Sequence, residues 1–250
     1  LGDLDLIVCR SGEVRLWWGN GAGTFTSGSN IGSSACTVLN ADNDGDLDIV
    51  AGSTGKRIYL NNGSGSFSYS HQVGSGDSQD LDAADLDGDG DMDFAAGNQY
   101  AANEYFINDG SGNYSLGGTF TGGGDSRSIA IALADFDNDA DIDIAEINYS
   151  ALDNNIWLNN GSASFTDSGQ TFNNGSENCA KGVEAADIDN DGDIDLFEAQ
   201  SNNYSSNLWT NDGSGGFSAV QTNLSGGNTR SGYFGDLDND GDVDLVQVNY

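Results

Sequence analysis

The stretch DFDNDADIDIAEI at 135–147 decides the fold. Asp stands at every odd position from 135 to 143, and the alternation then runs straight into apolar residues. The same nine-residue string returns as NADNDGDLD at 40–48, DLDGDGDMD at 85–93, DIDNDGDID at 187–195 and DLDNDGDVD at 236–244. GDLD at 2–5 matches its last four positions. Two like charges about 4 Å apart repel by roughly 4 kcal/mol at an effective dielectric near 20. A chain that builds this cluster five times needs a cation to fill it.

Forty acidic residues stand against seven basic ones, a formal charge of −33. Nucleic acid is excluded as a partner, because phosphate contacts need Lys and Arg, and anionic membrane surfaces are disfavoured. Of the 40 acids, 26 lie in the repeated string, so the acidity is local and divalent ions would neutralise much of it. Apolar residues make up 36% and aromatics 10%, enough for a packed core rather than a disordered acidic chain. Thirty-seven Gly and no Pro mark a turn-rich, all-β composition. No apolar run approaches the roughly 18 residues of a membrane span, so membrane insertion is not expected. No leader segment is visible before Leu1, and a mature or excised piece is expected. Three cysteines are too few for a disulfide framework. Cys9 and Cys36 pair if adjacent strands bring them together; otherwise they are buried thiols, as Cys179 then is.

The Asp at position 7 of each string falls at 3, 46, 91, 141, 193 and 242, with spacings of 43, 45, 50, 52 and 49 residues. That period fits four-stranded propeller blades. A second motif sits between the strings: LWWGNGAGTF at 16–25, IYLNNGSGSF at 58–67, YFINDGSGNY at 105–114, IWLNNGSASF at 156–165 and LWTNDGSGGF at 208–217. Asn-Gly or Asp-Gly between strand-like segments is a hairpin signal, because these residues tolerate positive φ. One repeat reads strand, Asp loop, strand, linker, strand, Asn-Gly turn, strand, with no sustained helical period. Apolar residues at positions 8 and 10 (Leu47 and Ile49, Ile142 and Ile144) alternate with Asp and share one sheet face.

The Asp loop together with the LWxNNGxGxF motif resembles the FG-GAP / VCBS-type repeats of bacterial surface proteins, related to the propeller blades of integrin α-subunits. The resemblance covers essentially the whole chain. It implies one β-propeller domain over residues 1–250, with calcium in a hairpin loop of each blade. The expected architecture is five full repeats with partial blades at both ends, a fragment of a six- or seven-bladed domain. With no Pro, the chain lacks the Gly-Ala-Pro part of the family's name.

Calcium takes about 6–8 oxygen ligands. A nine-residue loop can supply side chains from positions 1, 3, 5 and 9 and a carbonyl from position 7, an assignment the resemblance supports. The candidate metal residues are Asn40, Asp42, Asp44, Asp46 and Asp48; Asp85, Asp87, Asp89, Asp91 and Asp93; Asp135, Asp137, Asp139, Asp141 and Asp143; Asp187, Asp189, Asp191, Asp193 and Asp195; Asp236, Asp238, Asp240, Asp242 and Asp244. About five calcium sites follow. Gly at position 6 allows the tight turn, and Ala140 in its place makes the 135–143 site weaker. An EF-hand is excluded by strand-like flanks and by Asp at position 9; its position-12 Glu is matched only by Glu146 and Glu198. Magnesium keeps its waters and fits such a cage poorly.

Trp17, Tyr59, Phe106, Trp157 and Trp209 occupy equivalent positions, and their recurrence points to packing between blades. Trp18 is an outlier among Leu60, Ile107, Leu158 and Thr210, and Tyr100, Tyr149 and Tyr204 fall in the variable linker. These four are the candidate ligand-binding residues, since variable loops carry ligand contacts. The lone His71 has no counterpart in other repeats, and no nucleophile elbow, P-loop or zinc spacing is present. A non-catalytic protein is expected: a secreted or cell-surface recognition or adhesion module with a protein or glycan ligand. The alternatives are an accessory domain of a secreted polysaccharide-acting enzyme and a self-assembling subunit of a surface layer or fibre.

Overall fold

Each Asp loop joins two antiparallel strands, and each Asn-Gly motif joins the next two. The computed structural model describes residues 3–10, 12–120, 128–149, 153–172, 180–224 and 227–249, and every regular element among them is a β-strand. An N-terminal unit holds β1 (Leu6–Arg10), β2 (Glu13–Gly19) and β3 (Phe25–Asn30). The unit of the 40–48 loop has β4 (Ala35–Leu39), β5 (Asp48–Asn61) and the front of β6 (Phe67–Ala84). The rear of β6 opens the unit of the 85–93 loop, followed by β7 (Asp93–Gln99), β8 (Asn103–Asn108) and β9 (Tyr114–Phe120). The 135–143 unit has β10 (Ser128–Ala134), β11 (Asp143–Asn148), β12 (Asn154–Leu158) and β13 (Thr166–Phe172). The 187–195 unit has β14 (Ala180–Ala186), β15 (Asp195–Gln200), β16 (Ser206–Asn211) and β17 (Phe217–Leu224). β18 (Thr229–Gly235) and β19 (Asp244–Asn249) flank the 236–244 loop.

The sheets run β10-β11-β12-β13 and β14-β15-β16-β17, all antiparallel. In the 40–48 and 85–93 units the same meander is fused into one six-stranded sheet. The expected breaks are absent there because the backbone bends without leaving the ladder. β5 turns through Gly55 at φ 90, with a register shift between Thr54 and Lys56. β6 shifts between Ser78 and Asp80. The five Asp-loop periods thus correspond to four complete four-strand units, with three strands before them and two after. The hairpins are longer than a two-residue turn. Asn61 pairs with Phe67, so five residues connect the strands. In that connection Asn62 Oδ1 accepts the N–H groups of Ser64 and Ser66.

The core lies between consecutive units. One cluster joins Leu39, Val50 and Ile58 to Leu81, Phe94 and Phe106 of the next unit. Another joins Ala95, Tyr105 and Phe120 to Ile131 and Ile144, and a third joins Ala145, Ile147 and Ile156 to Val183, Leu196 and Trp209. The strand after the 40–48, 85–93, 135–143 and 187–195 loops is therefore buried on both faces, which explains its apolar run, whereas Val246 and Val248 of β19 are exposed. Position 10 faces the preceding unit and is fully buried at Ile49, Phe94, Ile144 and Leu196. Position 8 shares that face only partly, and Leu47 is exposed. The recurrent aromatics join these clusters, with Phe106 and Trp209 buried and Tyr59 and Trp157 packed at the margins. Cys9 and Cys36 form a disulfide between β1 and β4, settling the pairing that sequence left open. Cys179 lies outside the described residues.

Candidate metal centres

Position 9 anchors each loop. The Asp93 carboxylate is buried; its Oδ2 accepts the Leu86 N–H at 2.9 Å and its Oδ1 the Asn108 N–H at 2.7 Å. Asp48, Asp143 and Asp195 repeat the pattern with Ala41 and Asn61, Phe136 and Asn159, and Ile188 and Asn211. One carboxylate thus ties the front of the Asp loop to the Asn-Gly turn. Position 1 folds the loop around itself: Asp135 Oδ1 and Oδ2 accept the N–H groups of Asp139 and Ala140. Asn40 keeps part of that role by accepting the Gly45 N–H. Position 5 accepts from position 7, as Asp91 N–H to Asp89 Oδ1 at 2.9 Å. Position 6 has φ of 93, 94, 99 and 94 at Gly45, Gly90, Gly192 and Gly241, and Ala140 is held at φ 74, in the left-handed region.

Positions 1, 3 and 9 converge. Carboxylate oxygens of Asp85, Asp87 and Asp93 lie within 4.8 Å of one another, as do those of Asp135, Asp137 and Asp143, of Asp187, Asp189 and Asp195, and of Asp236, Asp238 and Asp244. Burial, opposed by backbone hydrogen bonds and reinforced by the neighbouring carboxylates, pushes Asp93 up to about 6 and Asp143 up to about 7. Asp87 and Asp137 at position 3 are also raised, by desolvation first and by position 5 next. Asp42 Oδ1 and Asp137 Oδ1 are buried without a hydrogen-bond partner. An orphaned carboxylate oxygen beside two other carboxylates fits a hard cation with oxygen ligands. Position 7 is placed differently. Its side chains lie against the Asn-Gly turn, and Asp91 and Asp193 accept from Asn43 and Asn138 of the preceding loop.

The candidate ligand residues are not brought into one site. Tyr100, Tyr149 and Tyr204 sit one to a unit in the linker at the sheet end opposite the Asp loops. Tyr100 is exposed at φ 63, and the Tyr149 ring lies 4.5 Å from Lys181 Nζ. Trp18 is placed at the Asp-loop end instead, between Gly28 and Gly65 of the next unit's turn.

Sequence reading missed a set of polar links between units. Asn103 Nδ2 donates to Glu146 Oε1 of the next unit at 2.7 Å, and Asn154 Nδ2 to Glu198 Oε1 at 2.9 Å. Trp157 and Trp209 indoles donate to the same two glutamates. Lys56, fully buried, takes the equivalent position and donates to Asn98 Oδ1 at 3.0 Å, beside an ion pair with Glu104. Burial pushes its ammonium down and Glu104 pulls it back. The recurrent turn Asn also crosses: Asn108, Asn159 and Asn211 Nδ2 donate to the carbonyls of Ala41, Leu86 and Phe136. The signal for these was present in the recurrence of Asn at the turn and of Glu at loop position 12.

Comparison with known proteins places these units. The FG-GAP-like repeat profile matches residues 2–51, 40–96, 85–146 and 147–198. No curated protein matches the chain. Among solved structures, an Agrocybe aegerita lectin described as specifically recognising non-reducing terminal N-acetylglucosamine is similar, with a TM-score of 0.56 and 19% identity over 88% of this chain. The biofilm matrix protein Bap1 of V. cholerae is similar with a TM-score of 0.50 and 24% identity over 85% of this chain. At these identities the likeness is one of fold. The chain spans 63% of the lectin and 34% of the matrix protein, less than two thirds of either.

Proposed function

We propose, for a chain that belongs to the FG-GAP-like repeat family, a calcium-stabilised β-propeller that works outside the cell as a recognition or adhesion module. The observation that carries the reading is the repeated convergence of carboxylates at positions 1, 3 and 9, with the position-3 oxygen of Asp42 and Asp137 left without a partner. Calcium would bridge these oxygens, with Asp44, Asp89, Asp139, Asp191 and Asp240 and the position-7 carbonyls completing the shell. The ion's role is structural: bound to the folded state alone, it holds each loop closed and stabilises by mass action. Sheets packed in series with their first strands side by side support a radial arrangement of blades.

Calcium accounts for the loop carboxylates, and on that ground we read the module as a binder rather than a catalyst. The fold likeness to a sugar-binding lectin and to a biofilm matrix protein supports a glycan or protein ligand. We assign it to the linker face that carries Tyr100, Tyr149 and Tyr204. A glycan and matrix-protein array probed with the chain and with a Tyr100→Ala, Tyr149→Ala, Tyr204→Ala triple variant tests this. Binding that the triple variant retains in full would remove that face from the account.

A further inference from the structure

Position 4 of the Asp loop lies between the candidate ligands at positions 3 and 5, and its backbone is left-handed: φ is 59, 60 and 62 at Asn43, Asn138 and Asn190, and 78 at Gly88. The asparagine side chains leave their own loop. Asn43 Nδ2 donates to Asp91 Oδ1 at 2.6 Å, Asn138 Nδ2 to Asp193 Oδ1 at 2.6 Å and Asn190 Nδ2 to Asp242 Oδ1 at 3.0 Å. Each acceptor is position 7 of the following loop. Asn43 and Asn138 also reach the Gly110 and Gly213 carbonyls of that following unit at 3.3 Å. The receiving aspartates have little freedom. Asp91 packs so closely on Gly110, and Asp193 on Gly213, that neither glycine has room for a Cβ. The N–H groups of Asp91, Asp193 and Asp242 bond to position 5 of their own loops, Asp89, Asp191 and Asp240. A line of contacts therefore runs from the ligand-bearing turn of one loop to the position-7 backbone of the next. It breaks once. Gly88 has no side chain to offer Asp141, although Asp141 packs on Gly161 as its counterparts pack on their turns. The space is open: a Cβ at Gly88 would meet only Gly161 O, at 3.6 Å, the equivalent of the carbonyl that Asn43 and Asn138 reach.

We propose that calcium enters the loops as two cooperative groups, 40–48 with 85–93, and 135–143 with 187–195 and 236–244, coupled by the position-4 asparagines and divided at Gly88. The proposal rests on the calcium reading given above. An ion held by positions 3 and 5 fixes the turn that carries position 4, so the asparagine is aimed at the next loop. There it holds the position-7 aspartate, whose carbonyl completes the next ion's shell. A loop without its ion loses that turn, and the bond goes with it. Each ion therefore favours its neighbour, and by linkage the neighbour favours it to the same degree. One exposed hydrogen bond contributes little to stability by itself. Its effect lies in being made only when both loops are closed. Asn43, Asn138 and Asn190 are thus positioning residues for the sites that follow them.

The test titrates calcium into the 250-residue chain and follows the position-6 amides by nuclear magnetic resonance. These amides, at Gly45, Gly90, Ala140, Gly192 and Gly241, bond to position 1 and so report closure loop by loop. Gly45 and Gly90 are expected to share one transition, and Ala140, Gly192 and Gly241 another, each steeper than single-site binding. Asn43→Gly keeps the left-handed backbone and removes the donor. It is expected to separate Gly45 from Gly90 and to raise the midpoint of the weaker of the two at least about five-fold, leaving the other three amides unchanged. Gly88→Asn supplies the missing donor and is expected to merge the two groups into one transition. Both positions are exposed, so neither change disturbs the core. Five independent responses, a single transition in the parent chain, an Asn43→Gly chain whose pair stays together, or a Gly88→Asn chain that keeps two groups overturns the proposal and leaves calcium binding in place. Amides indifferent to calcium would instead remove the calcium reading, and the proposal with it.

Discussion

Asn103 of one unit and Glu146 of the next meet at 2.7 Å across a buried interface. Glu146 is fully buried, and its two oxygens also accept from Ser128 Oγ and the Trp157 indole. Three donors from two units therefore depend on one carboxylate. Removing it leaves them orphaned in an apolar surround, which costs more than the bonds contribute when formed. Glu146→Ala is expected to destabilise by about 3–5 kcal/mol in urea unfolding, and Asn103→Ala by about 1–3 kcal/mol. The two losses should be less than additive in a double-mutant cycle, because they remove the same link.

Ala140 occupies the position that is Gly in the other four loops, at φ 74. A left-handed L-residue costs roughly 1–2 kcal/mol, partly offset by the entropy Gly loses on folding. Ala140→Gly should raise stability by about 1 kcal/mol, read as a shifted urea midpoint at unchanged slope. The same change at a right-handed surface position should destabilise.

Asp80 and Asp82 on β6 and Glu184 on β14 line a cavity of about 260 Å³ between the first strands of three units. Ile131 and Leu133 N–H groups of β10 bond to the two aspartates. Burial first, and then the neighbouring carboxylates, push Asp80 and Glu184 up to about 7. The folded state thus holds protons that the unfolded chain has released by about pH 4. Their contribution is fully present below that pH and is lost as pH rises through about 7. Asp80→Asn and Glu184→Gln should raise the melting temperature at pH 8 and leave it unchanged at pH 4. Each kcal/mol corresponds to roughly 2–4 °C for a chain of this size.

The Cys9–Cys36 bond spans 27 residues and fastens the three-stranded N-terminal unit to its neighbour. Closing a loop of that length stabilises by about 3–4 kcal/mol in the chain-entropy account. Reduction, or Cys36→Ala, should lower stability by that order. Hydrogen-exchange protection is expected to fall first in β1–β3 and last in β10–β15.

Much of this was legible in the sequence because the repeat prints its own grammar. Asp at loop positions 1, 3, 5 and 9 marked the candidate carboxylates, of which 1, 3 and 9 converge, and the Asn-Gly motif marked the second hairpin. The apolar run after each loop marked a strand, and its burial on both faces in four of the units became visible only in the structure. What escaped reading depends on register between units. Nothing in AANEYF indicates that Asn103 will face Glu146, because 43 residues separate them and the contact is fixed only when two sheets stack. Lys56 stands where Asn103 and Asn154 stand and is buried, a placement that the lysine itself does not announce. The linker in the 40–48 unit read as a break, yet Gly55 let the strand bend and keep pairing. Position 7 read as a carbonyl ligand, which left its side chain unplaced; that side chain is turned toward the Asn-Gly motif and the preceding loop.

The central claim is that calcium in the Asp loops holds the units together. Its most direct test is a thermal melt of the chain in millimolar calcium and again in excess chelator, with calcium titrated back by calorimetry. The account predicts a large fall in melting temperature on chelation, restored by calcium at about five equivalents per chain, with magnesium a poor substitute. A melting curve indifferent to chelation, with no heat of calcium binding, would contradict it.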